Sequence, residues 1–395
     1  MTKIAIVCPP DLPIPSFEGY GGIQRSIYDF IFELSRRGNY EILLFASGDS
    51  QISHIKHVTL LTNIDQALWG DLVVNENFLE KSERDIAQKA RLNEKYEDEY
   101  TDFIWHELQK QSPHVIIVMY DNLKLLTQLA KSSMFENVIY SLRNTSSEQK
   151  KELIRNYPTL KIVALSEQHK LDYGNISNIS VIPWGLDFNL YDFCEQPLAQ
   201  SEESPNENIL REWQAKGIDY LVMVGAIGIH KSQATAIQIA KRANMRLIIA
   251  GTPQDRLTLK KTTYFKNELL PQFSEEIVYF GNAGEQQKID LMRFAKALIA
   301  PFGFEFLAWK EPFGRVMVES MACGTSVLAF RHGSPIDIVA EGISGYLFET
   351  VEEAAEKILL INSINRYMVR KFAEEKFNIK KVVDEYEKIL RWYYI

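Results

Sequence analysis

Short, unbroken apolar runs limit what this chain can fold into. They occur at Ile4–Cys8, Glu41–Ala46, Val115–Tyr120, Val138–Leu142, Lys161–Leu165 and Ser180–Ile182, and again at Tyr220–Val224, Arg246–Ala250, Ile277–Phe280, Ala297–Ala300 and Ser326–Phe330. Few of them alternate apolar with polar residues. Strands made from such runs are covered on both faces, and a parallel sheet between helices does this. Stretches with helical period stand between them. In Ile23–Arg37, for example, Ile27, Phe30, Ile31 and Leu34 fall on one face, and Gly38 follows. Helices are expected near Ala234–Arg242 and Gln286–Ala295 as well. Strand, glycine-rich loop, helix and strand repeat, so the fold class is α/β and doubly wound.

With 395 residues the chain exceeds one ordinary core. Pro183-Trp184-Gly185 breaks the first strand–helix series, and a second series starts at Tyr220. The expected organisation is two Rossmann-like domains facing a cleft. The first covers 1–185 and takes back about 378–395, after Phe377-Asn378 interrupts the last helical segment. A linker covers 186–218, rich in Glu, Gln, Ser and Pro around Gln196–Asn208, and the second domain covers 219–377. The charged run Glu80–Glu99 reads as a solvated helix face. His54, His57 and Trp105-His106 form no metal pattern, and Trp69 and Trp105 read as core aromatics able to stack on sugars. The terminal Trp392, Tyr393 and Tyr394 end a helical segment.

Composition narrows the class of function. Hydrophobic content of 46% and charged content of 24% are those of a soluble globular protein. A net charge of −8 argues against nucleic acid as the main partner. The three cysteines, Cys8, Cys194 and Cys323, are far apart and form no CxxC, which implies a reduced, cytoplasmic compartment and no zinc site. The chain enters a strand at Ile4, so neither a signal peptide nor a membrane span is expected.

The chemistry concentrates in Glu305–Gly333. Glu311 and Glu319 stand eight positions apart, Pro312, Phe313 and Gly314 follow the first, and Cys323-Gly324-Thr325 follows the second. This spells a loop, a helix closed by Gly324, and a buried strand from Ser326 to Phe330. Free N–H groups at Phe313 and Gly314 would open the helix, and such an end is an anion site that glycine lets a phosphate approach. Glu319 lies about a turn further in. A second glycine loop, Gly19-Tyr20-Gly21-Gly22, follows the first strand. Strands ending near 8, 120 and 142 should converge on one sheet edge, where Tyr120, Asp121, Arg143 and Asn144 are site candidates.

These residues resemble the retaining glycosyltransferases of family 4, which have the GT-B fold. Glu311 and Glu319 match that family's E-x7-E element, and Met321-Ala322-Cys323-Gly324-Thr325 matches the stretch after it. Gly333-Ser334-Pro335 and Glu341-Gly342-Ile343-Ser344-Gly345-Tyr346 match the loop beyond. Gly21-Gly22 with Arg25, Val181–Asp187, and Gly225 with Lys231 match upstream elements, so the resemblance covers nearly the whole chain. It implies transfer of a hexosyl group from a nucleotide sugar, a UDP-sugar first, to a saccharide or lipid-linked glycan. Polysaccharide or glycoconjugate biosynthesis would be the setting. The implied catalytic residues are Glu311, Lys231 and Arg143. The implied donor-binding residues are Gly21, Gly22, Gly225, Lys231, Phe280, Glu311, Phe313, Gly314, Arg315 and Glu319. Lys231 would neutralise the pyrophosphate, Glu319 would accept ribose hydroxyls, and Glu311 would hold the transferred sugar. No D-x-D element stands out, so neither a metal nor a cofactor beyond the co-substrate is expected. A lipid-linked acceptor would bring weak peripheral contact with the inner face of a membrane, to which the charge of −8 lends no support.

Two positions depart from the family. Ala226 stands where an Arg is usual, and Arg143 stands where a His is frequent. Arg315 or Arg25 is expected to replace the missing phosphate partner. These departures keep open a non-catalytic nucleotide-sugar binder, or an epimerase on the same scaffold.

Overall fold

The computed structural model describes residues 1–16, 21–67, 83–174, 176, 178–191, 193, 205–253 and 264–391, with residues 83–94 and 205–208 as backbone. Gly19, Tyr20, Trp69, Cys194, residues 196–204 and Trp392, Tyr393 and Tyr394 lie outside the described residues. The chain divides into two compact units. One is built from residues up to Leu186 and from Ile379 onwards, the other from Asp187–Asn378.

The first unit holds a parallel sheet of seven strands, ordered β3-β2-β1-β4-β5-β6-β7. They are β1 (Thr2–Val7), β2 (Tyr40–Phe45), β3 (Val58–Leu61), β4 (Val115–Val118), β5 (Val138–Ser141), β6 (Lys161–Ala164) and β7 (Ile179–Val181). Ile4 pairs with Ile42 on one side and Val115 on the other. The apolar runs are unbroken because both faces are covered. Ile4, Ile6 and Cys8 pack with Ile27, Phe30, Ile31 and Leu34 of the helix Gly22–Arg36, and with Val382, Val383 and Tyr386 of the helix Ile379–Leu390. Ala5 and Val7 face the other way, toward Tyr100, Ile104 and Leu108 of the helix Glu83–Gln111. That helix carries much of the charged run: residues 95–99 are exposed, while Tyr100, Ile104 and Leu108 recur every four positions on its buried face. β3 escaped the sequence reading because it is an edge strand whose four residues are only partly buried. The last helix is tied in by Ile379 N–H, which donates to Leu186 O at 2.9 Å, and by Arg37 against Asp384 at 2.8 Å.

The second unit holds a parallel sheet of six strands, ordered β10-β9-β8-β11-β12-β13. They are β8 (Tyr220–Val224), β9 (Arg246–Ala250), β10 (Ile277–Gly281), β11 (Ala297–Ala300), β12 (Ser326–Phe330) and β13 (Gly345–Phe348). Within the segment expected to be linker, Pro205–Ala215 is a helix whose Leu210 and Trp213 are buried, with the Trp213 ring 5.9 Å from that of Tyr220. Polar residues between those two anchors hide its apolar face in the sequence.

One glycine sets how closely β8 and β9 approach at their carboxyl ends. Gly251 has φ +154, and a Cβ there would lie 1.8 Å from Gly225 O. Gly251→Ala should therefore cost at least about 3 kcal/mol, backbone strain and a backbone clash together. Gly217 also has positive φ, but nothing lies within 4 Å of its would-be Cβ. Gly217→Ala should cost only about 1 kcal/mol. Thermal melts of the two variants make the comparison, and equal losses would refute the steric account.

Candidate active site

In doubly wound sheets, ligands bind beyond the carboxyl ends of strands where the strand order reverses. In the second unit that point lies between β8 and β11. The loop after β8 carries Lys231, at the end of the short turn Ile229–Lys231, and the loop after β11 carries Glu311. The two meet: Lys231 Nζ donates to Glu311 Oε2. Lys231 Nζ also lies 4.5 Å from the ring centre of Phe302 and 4.7 Å from that of Trp309. A carboxylate and two aromatic faces thus hold the ammonium in place.

Glu311 is fixed in turn. Its Oε1 accepts the Gly314 N–H at 3.1 Å, and its carbonyl accepts the Ser334 N–H at 3.1 Å. Gly333 lies against it, where a Cβ would meet the Glu311 backbone at 3.1 Å. Gly314, at φ +75, caps the helix Arg315–Ala322. The sequence reading left the Gly314 N–H free for an anion, whereas the structure gives it to Glu311. The reason is local: a carboxylate three residues before a helix start reaches the unpaired N–H groups there. Gly324, at φ +75, follows the helix as expected and leads into β12.

Glu319, expected to accept ribose hydroxyls, has several protein partners. It is buried, and Arg315 Nε donates to its Oε1 at 2.8 Å. Lys288 Nζ, from the helix Glu285–Arg293, lies 3.2 Å from its Oε2. The Tyr191 hydroxyl donates to Oε1 at 3.1 Å. Burial alone would raise the Glu319 pKa, but Lys288 and Arg315 outweigh it and hold the carboxyl down at about 2. The residue expected to take ribose hydroxyls is therefore the centre of a buried charge network. Arg315, expected as a phosphate partner, is 5% exposed and directs its Nε at Glu319, which stands one helical turn on. Arg25, the other expected substitute, is in the first unit 3.7 Å from Asp29.

Other second-unit residues were not singled out by sequence. Glu305 accepts the Thr235 N–H at 2.8 Å and the Thr235 and Tyr264 hydroxyls at 2.9 Å, which pins the loop after β11 to the start of the helix Gln233–Arg242. Gln233 donates to Ala226 O at 2.9 Å and accepts the Gly228 N–H at 3.2 Å, which shapes the loop that leads to Lys231. Lys288 and Tyr191 reach Glu319, and Trp309 reaches Lys231, only through the fold. Gly225 follows β8 and donates its N–H to Ala250 O at 3.0 Å. Phe280 is buried near the end of β10, on the same sheet edge. Phe313 is also buried, 5.8 Å from the ring of Phe377.

Gly21, Gly22 and Arg143 belong to the first unit. Gly21, at φ +89, caps the helix that begins at Gly22, and no side chain caps that end. Tyr120 and Asn144 lie just past β4 and β5. The Tyr120 hydroxyl is bonded by Asn122, and Asp121 accepts from Tyr140 at 2.6 Å, Asn144 at 2.9 Å and Lys150 at 2.7 Å. Among the described residues, no group of three or more His, Cys, Asp or Glu side chains is placed to hold a metal, and no helix is long and apolar enough to cross a membrane.

Comparison with known proteins adds the family. Residues 206–376 match the family model described as glycosyl transferases group 1. Among curated proteins, the lipopolysaccharide 1,2-N-acetylglucosaminetransferase of Salmonella typhimurium is 25% identical over 267 residues, which are 65% of this chain and 64% of that one. The N-acetyl-alpha-D-glucosaminyl L-malate synthase of Bacillus anthracis is 34% identical over 91 residues, 21% of this chain and 24% of its own. The matches thus span less than two thirds of these relatives. Among solved structures, Anabaena Alr3699/HepE in complex with UDP and glucose superposes with TM-score 0.65 at 18% identity, over 99% of this chain and all of the other. Sucrose-phosphate synthase from Thermosynechococcus elongatus superposes with TM-score 0.69 at 14% identity, over 100% and 99%. Likeness at such identities speaks for the fold: the chain has the GT-B fold, and residues 206–376 of its second unit are similar to the group 1 glycosyl transferases.

Proposed function

We propose that this protein is a retaining, metal-independent glycosyltransferase that moves a hexosyl group from a nucleotide sugar, in the first place a UDP-sugar. The acceptor is a saccharide or a lipid-linked glycan. The observation that carries the reading is the Lys231–Glu311 pair at the switch point of the second unit, beside the start of the helix Arg315–Ala322. Departure of a nucleoside diphosphate builds negative charge that a held cation stabilises. Lys231 already has its side chain ordered by Glu311, Phe302 and Trp309, so little reorganisation is needed when phosphate replaces carboxylate as its partner. Glu311 is then released to accept hydroxyls of the transferred sugar, and its oxygens favour the oxocarbenium-like transition state. Glu319 acts one step removed: it anchors the helix whose start faces the phosphates. The names of the relatives agree in kind, as one transfers N-acetylglucosamine and one binds UDP and glucose.

Melting curves with UDP-, GDP- and ADP-glucose test the donor. A ligand at about 100 times its Kd should add about 2.7 kcal/mol to stability. Release of nucleoside diphosphate, with and without a saccharide acceptor, tests the reaction. No shift with any donor would overturn the reading. A shift without release would instead mark a nucleotide-sugar binder.

A further inference from the structure

Arg143 follows β5, at the sheet edge of the first unit, one strand away from the β1/β4 reversal. It is 5% exposed. Among the described residues three arginines are this deeply buried, and the other two each face a carboxylate: Arg293 with Asp290 at 3.5 Å, and Arg315 with Glu319 at 2.8 Å. Among the described residues Arg143 faces none, and its buried Nε has no hydrogen-bond partner. Its guanidinium lies 5.3 Å from the ring centre of Trp184, and Tyr386 and Cys8 are its polar neighbours. Burying an unpaired charge is costly, and a ring face offsets only a part of that cost.

The backbone around this side chain is held on both flanks. The carbonyl of Asn144 accepts His169 Nε2–H at 3.0 Å, and the carbonyl of Thr145 accepts Lys150 Nζ at 2.6 Å. Lys150 and the Asn144 amide both reach Asp121, just past β4. On the other side Ser141 Oγ meets the Tyr386 hydroxyl at 3.1 Å. A loop pinned by four partners keeps a guanidinium that no described carboxylate compensates at the edge where doubly wound sheets take ligands.

We propose that Arg143 is an anion-binding, specificity-determining residue of the first unit, selecting a substrate sugar that bears a carboxylate or a phosphate. A guanidinium matches either group through paired N–H donors. That the ligand is a sugar rests on the glycosyltransferase reading above; that it is anionic rests on the surroundings of Arg143 alone. The anion has two sources, the transferred sugar or the acceptor.

Calorimetry on the full chain separates them. UDP-glucuronate against UDP-glucose reports an anion on the transferred sugar. D-Glucuronate and D-glucose 6-phosphate against D-glucose, all with saturating UDP, report an anion on the acceptor. In one arm the anionic probe should bind about tenfold or more tighter than its neutral counterpart. Arg143→Gln should erase that preference while the Kd for UDP stays unchanged, and Arg143→Lys should keep only part of it. No preference in either arm of the wild type, or a preference that survives Arg143→Gln, overturns the proposal. UDP binding is read separately: if UDP does not bind, the nucleotide-sugar reading fails, and the free sugars measured alone still decide Arg143. If the Gln variant does not fold, the wild-type preference and its reduction in Arg143→Lys decide.

Discussion

Replacing Glu319 with Gln should destabilise the second unit by about 3–5 kcal/mol, the usual consequence of removing one partner from a buried ion network. Two cations, Arg315 and Lys288, point at this carboxylate and share it with the Tyr191 hydroxyl. A neutral amide takes the shared carboxylate from both cations, and Lys288 keeps only Glu285, 3.3 Å away at the less buried end. The carboxyl also has a folded pKa of about 2, below its ordinary value, so its contribution is complete above roughly pH 4.5 and is lost as pH falls toward 2. Wild type and Glu319→Gln should therefore differ most at neutral pH and converge in acid. Chemical denaturation at several pH values, followed by hydrogen exchange in the helix Arg315–Ala322, gives the comparison. Adding Arg315→Met to Glu319→Gln should recover part of the loss, because one of the stranded charges goes with it. A loss below about 1 kcal/mol at neutral pH would show that the network contributes little net stability.

Replacing Lys231 with Met should lower kcat/KM for sugar transfer by about 100-fold or more, the scale of removing one charge-stabilising group from a preorganised site. Met keeps most of the apolar stem between Phe302 and Trp309 and removes only the ammonium. Lys231→Arg keeps the charge on a differently shaped head, so it should retain more activity than Met and less than Lys. Nucleoside diphosphate release under single-turnover conditions is the readout, with a thermal melt beside it, since Glu311 loses its cation in the Met variant. Full activity of Lys231→Met would remove Lys231 from the mechanism and take the central observation with it.

The strands were legible because a parallel sheet covered on both faces needs continuous apolar runs, and the chain has them at β1, β2 and β4–β12. β3 and the helix Pro205–Ala215 were not legible. The edge strand β3 is only partly buried, and polar residues mask the period of the helix Pro205–Ala215. The pairing of Lys231 with Glu311 was half legible. The motif named both residues for one site, but the ion pair between them depends on β8 and β11 lying side by side.

Sequence by itself determined the α/β class, the helix start at Gly314, its close at Gly324, and the grouping of Glu311 and Glu319 on one loop–helix segment. These are local matters of period, backbone freedom and spacing along a few turns. Only the tertiary structure decided what the charges do. Lys288 and Tyr191 come from distant parts of the chain and set Glu319 in a buried charge network. Arg315 follows it into that network. Among the described residues Arg143 is left without a carboxylate, and its buried Nε has no hydrogen-bond partner. A charge's role depends on which opposite charge the fold brings within about 4 Å and how much water it removes, and neither is written in the spacing of residues.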